Sequence, residues 1–398
     1  MSITVEDRAR RLQRTAVLSY AFRPLFLAAA SWAIVSLALW LAMFLGYMRL
    51  PTRFDPLTWH IHEMLFGFVM AAIGGFLLTA IANWTRRLPV SGYSLALLTG
   101  LWMLGRIACL ISADLPAWLA IGGDLSFPVV LLAIAAREII AGRNWRNLVM
   151  TVPLAVFVIA DLLMHVESLS FAVPRGLGWR LGLAAPIMLI SIIGGRIIPT
   201  FTRNWLFERH STRLPTPPGA TDIAAVGVLN IGLILWAMLP DLRLTGVILV
   251  VAAALNAWRL ARWGGGATLA EPLLFILHIG YGWVVIGLAL LGFSLLDVGI
   301  PVASAIHALS AGAIGIMILA VMPRVTLGHT GRELTANRAT VVIFILINAA
   351  AIMRVAASWN IGWMMILLAL SASCWIAAFG LFEIVYGPLL LTPRPAST

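Results

Sequence analysis

The sequence predicts an all-α membrane protein, a polytopic bundle of about twelve transmembrane helices. Three observations predict it. Hydrophobic residues make up 61% of the 398, only 11% are charged, and mean hydropathy is +0.98, whereas about a quarter of a soluble domain is charged. Apolar runs long enough to cross a hydrocarbon core, about 20 residues, recur along the whole chain. No stretch has the period-2 alternation of a barrel strand. This composition excludes a soluble enzyme, a disordered chain and a secreted disulfide scaffold. Cys109 and Cys374 both lie in apolar runs, without redox or zinc spacing.

Breaks at charges and at Pro/Gly clusters delimit the spans. The first runs over roughly 24–48, from Pro24 to the residue before Arg49. The second, at 62–83, closes at Asn83-Trp84 ahead of Arg86-Arg87. The third (93–112) ends before Asp114, and the fourth (117–136) runs from Pro116 to Arg137. The fifth (147–165) follows Arg146, and the sixth (180–200) stops short of Arg203. The seventh (222–239) lies between Asp222 and Asp241. The eighth (243–258) is short and bounded by Arg243 and Arg259. The ninth (272–294) follows Glu271-Pro272, and the tenth (301–323) lies between Pro301 and Arg324. The last two cover 339–357 and 361–386. With no water to satisfy the backbone, these are helices. Together they make one transmembrane domain over 1–398, with an N-terminal segment at 1–20 and a short tail at 387–398.

All 27 basic residues are arginines, and the net charge is +11. With both ends placed in the cytoplasm, eighteen arginines fall on that side. They include Arg8, Arg10, Arg11, Arg14, Arg86, Arg87, Arg213, Arg259, Arg324 and Arg332. Five fall on the other side: Arg49, Arg53, Arg175, Arg180 and Arg243. This is the positive-inside bias, and it calls for an even number of spans. The N-terminal segment, with Glu6 and Asp7 among its arginines, reads as a polar helix and not as a signal peptide. Tryptophans 59, 84, 118, 145, 179, 205, 258, 263 and 359 flank span ends, as an aromatic belt does. The basic balance is thus a topology signal with generic contact to acidic lipid; it is no sign of nucleic-acid binding.

Gly74-Gly75 and Gly194-Gly195 stand 120 residues apart, and Gly315 follows Gly194 by 121. Asn83-Trp84 and Asn204-Trp205 repeat at the same interval. The spacing falls on spans two, six and ten and suggests three units of four helices.

Ionisable residues inside spans are costly and point to function unless they pair for structure. His60, His62, His165 and His307 fall in the outer third of the bundle by this topology, beside Glu63, Arg106, Asp161 and Arg354. Asp161 and His165, four apart, share a helix face, so Asp161 suits the role of fixing the imidazole tautomer. Arg106 and Arg354 suit propionates or other anions; the competing reading is a pair of buried salt bridges, Asp161 with Arg106 and Glu63 with Arg354. His60 and His62, two apart, diverge on a helix and reach one site only if the helix starts late, after Asp55-Pro56. Ala303, Ser304, Ser310 and Ala311 leave room beside His307, either for tight helix packing or for a flat macrocycle. His60, His62 and His307 are the candidate metal or haem ligands, with His165 a further one. His278, Arg196, His329 and Arg332 are weaker candidates. Gly328-His329-Thr330-Gly331-Arg332-Glu333 reads as a helix C-cap and tight turn.

Several stretches resemble the NnrS family. They are Ala21-Phe22-Arg23-Pro24-Leu25-Phe26, Trp59-His60-Ile61-His62-Glu63-Met64 and Gly75-Phe76-Leu77-Leu78-Thr79-Ala80, then His307-Ala308-Leu309-Ser310-Ala311-Gly312 and Leu327-Gly328-His329-Thr330-Gly331-Arg332. The resemblance implies a twelve-span protein of the bacterial inner membrane, containing haem (of b type) and copper. It implies a link to nitric oxide and nitrosative stress beside denitrification, with nitric oxide or a small redox ligand as partner. Any activity would be that of a haem-dependent oxidoreductase on nitric oxide or derived species. The layout also looks like that of haem–copper oxidase catalytic subunits, whose metal ligands lie on spans two, six and ten. Here spans six and seven carry no histidine, so the three-histidine copper site of that fold has no counterpart. Two other functions stay open: a secondary transporter of a small anion, metal or metabolite, and a scaffold that holds a metal centre for a protein partner.

Overall fold

The computed structural model of the protein describes residues 15–212, 214–359 and 361–394. Arg8, Arg10, Arg11, Arg14 and Arg213 lie outside the described residues. Twelve helices are long and apolar enough to cross a membrane, and no strand occurs among the described residues. They are α1 (Phe22–Phe44), α2 (Pro56–Thr85), α3 (Gly92–Leu110), α4 (Ala117–Ala141), α5 (Trp145–Ser168) and α6 (Leu177–Glu208). The rest are α7 (Ala220–Met238), α8 (Arg243–Ala261), α9 (Pro272–Leu295), α10 (Val302–His329), α11 (Arg338–Ala357) and α12 (Ile361–Leu391). The chain is a multi-pass membrane protein.

The spans read from hydropathy are matched one for one, and the differences lie at polar ends. α2 begins at Pro56, not near residue 62. Asp55 is its N-cap and accepts from the Leu57 and Thr58 amides, with Pro56 in the first turn. A carboxylate cap followed by proline is a strong helix start. Hydropathy misses this turn because it is polar. α6 likewise continues to Glu208 through Asn204 and Trp205, which are helical and do not form a terminal turn.

Three helices contain a π-helical stretch: Glu63–Val69 in α2, Ile190–Gly194 in α6 and Ala308–Gly315 in α10. These are the spans that the glycine spacing singles out. The stretch in α2 ends before Gly74-Gly75, so the two features share helices and not a register; π stretches concentrate at functional sites.

The chain forms two compact units. The first comprises described residues within 1–182, 324–333 and 379–398, and the second those within 183–323 and 334–378. In the first, Phe22, Phe26, Phe66, Phe127, Phe157, Phe379 and Phe382 make a buried aromatic core. The buried Arg23 donates through Nη1 to the carbonyls of Leu389, Leu390 and Thr392 at 3.2, 2.9 and 2.7 Å. It thereby satisfies acceptors that the end of α12 would leave orphaned. His329 packs against Tyr20 and Phe22, with ring centroids 5.7 and 5.5 Å away. Gly331, with φ of +72°, closes α10 as the expected cap, and the Arg332 amide donates back to the Leu327 carbonyl.

In the second unit Arg259 is buried. Its Nε donates to Asp222 at 3.1 Å, and its Nη1 to the Ser191 carbonyl and the Tyr281 hydroxyl at 3.1 and 2.8 Å. Arg262 bonds the other Asp222 oxygen at 3.1 Å. Counting Arg259 as a loop arginine is therefore corrected: it is an interior ion-pair partner near the end of α8. The tryptophan belt is corrected in the same way. Trp118, Trp145, Trp258 and Trp359 are exposed, but Trp59 and Trp263 are core residues.

Candidate metal centre

The largest concentration of buried charge lies in the first unit, where α2, α3, α4 and α5 bring their polar residues to one level. His62, Glu63, Asp124 and Asp161 are essentially fully buried, and Arg106 and His165 nearly so. Close helix packing creates the cluster. A methyl on Gly105 of α3 would stand 2.9 Å from Asp124 Oδ1 and 3.1 Å from its Cα. The missing side chain thus lets α3 and α4 meet backbone to backbone. Pro128, one turn beyond, donates no amide to the Asp124 carbonyl, a local weak point in α4. Gly67 of α2 makes room in turn for Trp32 Nε1 and Arg106 Nη1, which a methyl there would meet at 2.4 and 2.9 Å.

Hydrogen bonds order the cluster. Arg106 donates to Glu63 Oε2 at 2.6 Å and through its other terminal nitrogen to Asp124 Oδ1. Trp32 Nε1 also donates to Glu63 Oε2, at 2.8 Å. Glu63 Oε1 lies 3.1 Å from His62 Nδ1. A carboxylate can only accept, so without a cation His62 donates from both ring nitrogens; with a cation bound, Glu63 would keep the proton on Nδ1 and leave the inward-facing Nε2 for the ion. That Nε2 stands 3.0 Å from Asp161 Oδ1 and 3.1 Å from Asp124 Oδ2. His165 Nε2 is 2.8 Å from the same Asp124 oxygen and 3.9 Å from Asp161 Oδ1.

Two imidazole nitrogens thus converge on two carboxylates. Three buried carboxylates face one buried guanidinium. Burying unbalanced charge is costly, so neutrality asks for two further positive charges, from imidazolium protons or from a divalent cation. The donor set fits a cation. Cys109 Sγ joins His62, Asp124 and His165, the four ligand atoms all within 4.8 Å of one another. Ligands roughly 2.0–2.3 Å from one ion stand about 3–4 Å apart, so the widest pair would draw together by up to about 1 Å on binding. Asp161 Oδ2 is buried without a hydrogen-bond partner, an acceptor left over once His62 is served. Imidazole, carboxylate and thiolate together suit copper, zinc or iron, and Glu63 on Nδ1 is the outer carboxylate that metal-bound histidines commonly carry.

The same residues do not fit a haem. Phe54 lies over His62 and His165 at centroid distances of 4.8 and 5.3 Å, and Phe66 is 5.1 Å from His62. Both inward Nε2 atoms, through which a haem iron would be held, lie 2.8–3.1 Å from carboxylates inside this buried cluster, which leaves no room for a macrocycle beside them.

The structure separates the other sequence candidates. His60 turns away from His62, as adjacent positions on a continuous helix must, and stacks on Trp40 at 4.2 Å. The late helix start that would join the two does not occur. Arg106 takes Glu63 and Asp124 as partners, not Asp161. His307 lies in the second unit, where its Nδ1–H donates to the Ala303 carbonyl at 2.7 Å. In a neutral imidazole this leaves the lone pair on Nε2. Ser304 Oγ donates to the Val355 carbonyl at 3.2 Å, joining the first turns of α10 to the part of α11 that carries Arg354. His278 Nε2 bonds the Thr202 hydroxyl at 2.9 Å; no carboxylate is among its hydrogen-bond partners. Arg196 lies in α6 just after its π turn, and Arg332 is exposed. Asp124 and Cys109 were missed by sequence reasoning. Asp124 carried a usable signal, the one charged residue in the apolar run from Ala117 to Ala136; Cys109 carried none.

A sequence model described as NnrS protein matches residues 16–394. No curated protein matches the chain.

Proposed function

Because that match spans nearly the whole chain, the protein belongs to the NnrS family, and we propose that it is a haem- and copper-containing membrane protein of the nitric-oxide and nitrosative-stress response. It sits in the bacterial inner membrane with both termini cytoplasmic. His62, His165, Asp124 and Cys109 hold the copper, with Asp161 as a further oxygen donor. His307 holds a b-type haem, and Arg354 on α11 serves a propionate. When bound, the iron supplies an open position for nitric oxide and the copper a one-electron couple. The chain does the rest: Glu63 keeps the proton on His62 Nδ1, Arg106 locks Glu63 and Asp124 in place, and the Phe54 and Phe66 rings exclude water. The single observation that carries the reading is the buried excess of carboxylate around two convergent imidazole nitrogens. The transporter alternative draws no support from α6, which is continuous through Pro186 and Gly194-Gly195 where a broken helix would be expected.

The test is an absorption spectrum with metal analysis on protein purified in mild detergent, for wild type and four single variants. His307→Ala should lose the Soret band and keep copper. His62→Ala and His165→Ala should lose copper and keep the Soret band, and His60→Ala should keep both. A folded wild-type protein with neither Soret band nor copper would sink the reading.

A further inference from the structure

We propose that small uncharged molecules reach the buried cluster along a cavity ending at His165, and that Phe54 sets the size limit; this rests on the cluster being the reactive centre. The cavity has a volume of about 10 Å³, in the measure in which one water needs about 10–15 Å³, and it lies wholly within the first unit. Its lining runs from half-buried Arg53, Ile121, Ser168 and Leu169 to buried Phe54, Ser112, Ala120 and His165. His165 belongs to both the lining and the cluster, so whatever fills the cavity touches the cluster through that imidazole.

Phe54 stands between the cavity and His62. Its ring covers His62 nearly face to face, with 28° between planes, and leans on His165 at 43°. The segment that carries it is pinned to the α3–α4 turn. The Arg53 amide donates to Ser112 Oγ at 2.9 Å, Arg53 Nη2 donates to the Leu115 carbonyl, and the Ala113 amide donates to the Pro51 carbonyl at 3.0 Å. Phe54 is therefore a fixed wall with a ring-sized contribution to the passage.

The lining chooses the class of molecule. Phe54, Ala120, Ile121 and Leu169 are apolar, and two serine hydroxyls are the neutral polar groups. The one charge, Arg53, is committed to the Leu115 carbonyl. A hydrated ion would lose water without replacement along such a wall. A diatomic or similarly small neutral molecule loses little. The cavity holds about one water-sized molecule at a time, which excludes larger substrates.

Cys109, in the cluster, reports arrival. The full-length protein in mild detergent is stripped with chelator and treated with methyl methanethiosulfonate, which is small and neutral, or with a permanently cationic methanethiosulfonate. Labelling at Cys109 is followed by peptide mass. Phe54→Ala should speed neutral labelling about tenfold, the effect of lowering a barrier by about 1.4 kcal/mol. Ile121→Trp should slow it by a similar factor, and the cationic reagent should lag in every variant. Phe54→Leu serves if the alanine variant does not fold. Unchanged neutral rates in both the Phe54 and Ile121 variants would overturn the route, and equal rates for the two reagents would overturn the neutral class. Copper content of the same preparations tests the centre separately. Wild type that takes up no copper, with the labelling pattern as expected, removes the centre and leaves the route. Bound copper with unchanged labelling removes the route and leaves the centre.

Discussion

Replacing Arg106 by methionine keeps an unbranched, though shorter, side chain and removes the guanidinium that faces Glu63 and Asp124. Two charge-assisted hydrogen bonds are lost, each worth roughly 1.5–3 kcal/mol. The larger consequence is what remains. Glu63 and Asp124 are 0% and 1% exposed, so neither carboxylate can turn to water. Breaking a buried pair in this way costs about 3–5 kcal/mol. Arg87 is the internal control. It bonds Glu138 at a comparable 2.6 Å, but its side chain is 45% exposed, and such pairs contribute about 0.2–1 kcal/mol. Unfolding by SDS titration from mild detergent, followed by helical circular dichroism on chelator-treated protein, should place Arg106→Met several kcal/mol below wild type and Arg87→Ala within about 1 kcal/mol of it. Adding Glu63→Gln and Asp124→Asn to Arg106→Met should recover much of the loss, because the stranded charges go with their partner. If Arg106→Met is no less stable than Arg87→Ala, or the triple variant is worse than the single, the charge-balance argument is refuted.

Other variants probe separate features. Gly67→Ala drives a methyl into Trp32 and Arg106 and should cost about 1–3 kcal/mol in the same titration; a neutral result would mean that α2 has slack there. Trp32→Phe removes a donor from Glu63 while keeping an aromatic ring, with an expected loss of about 1.5–3 kcal/mol. Arg23→Ala should abolish hydrogen-exchange protection around the last turn of α12 while leaving α3 and α4 unchanged; protection retained near Leu389 and Leu390 would rule out the cap. Asp222→Ala strands Arg259 in the second unit and should destabilise by about 3–5 kcal/mol, measurable as a lower midpoint of unfolding.

The helices were legible because the bilayer enforces them locally: about 20 apolar residues and a flanking charge are enough. Their polar ends were not, since caps such as Asp55-Pro56 add helix outside the apolar window. His62, Glu63, Arg106, Asp161 and His165 were legible as a group because each is costly at its depth. Their partnerships were not. Arg106 pairs with Asp124 because Gly105 lets two backbones touch, a contact between helices that no spacing along one helix encodes. His60 and His62 looked equivalent in one motif, yet helical phase sends one to Trp40 and the other to the cluster. Trp59 and Trp263 lie at span ends and still face inward, since sequence position gives depth but not azimuth. Arg259 was misread for the converse reason: it lies at a loop-like depth but points into its unit.

The pairing of Arg106 with Asp124 bears on how the chain enters the bilayer at all. On its own, α3 would carry Arg106 and α4 Asp124 into the membrane unpaired, and such residues resist insertion, by roughly 2.5–3.5 kcal/mol at a helix centre and by less toward its ends. The two helices are joined by the short turn between Leu110 and Ala117, so they can leave the translocon as a hairpin with the charges already neutralised against each other. Asp161 on α5 has His165 of its own helix 3.9 Å away, but its closer partner is His62 of the earlier α2. Biogenesis of the first unit therefore has an order written into its charges: α2 stays close by, the α3–α4 pair partitions together, and α5 is the helix whose arrival completes the charge cluster.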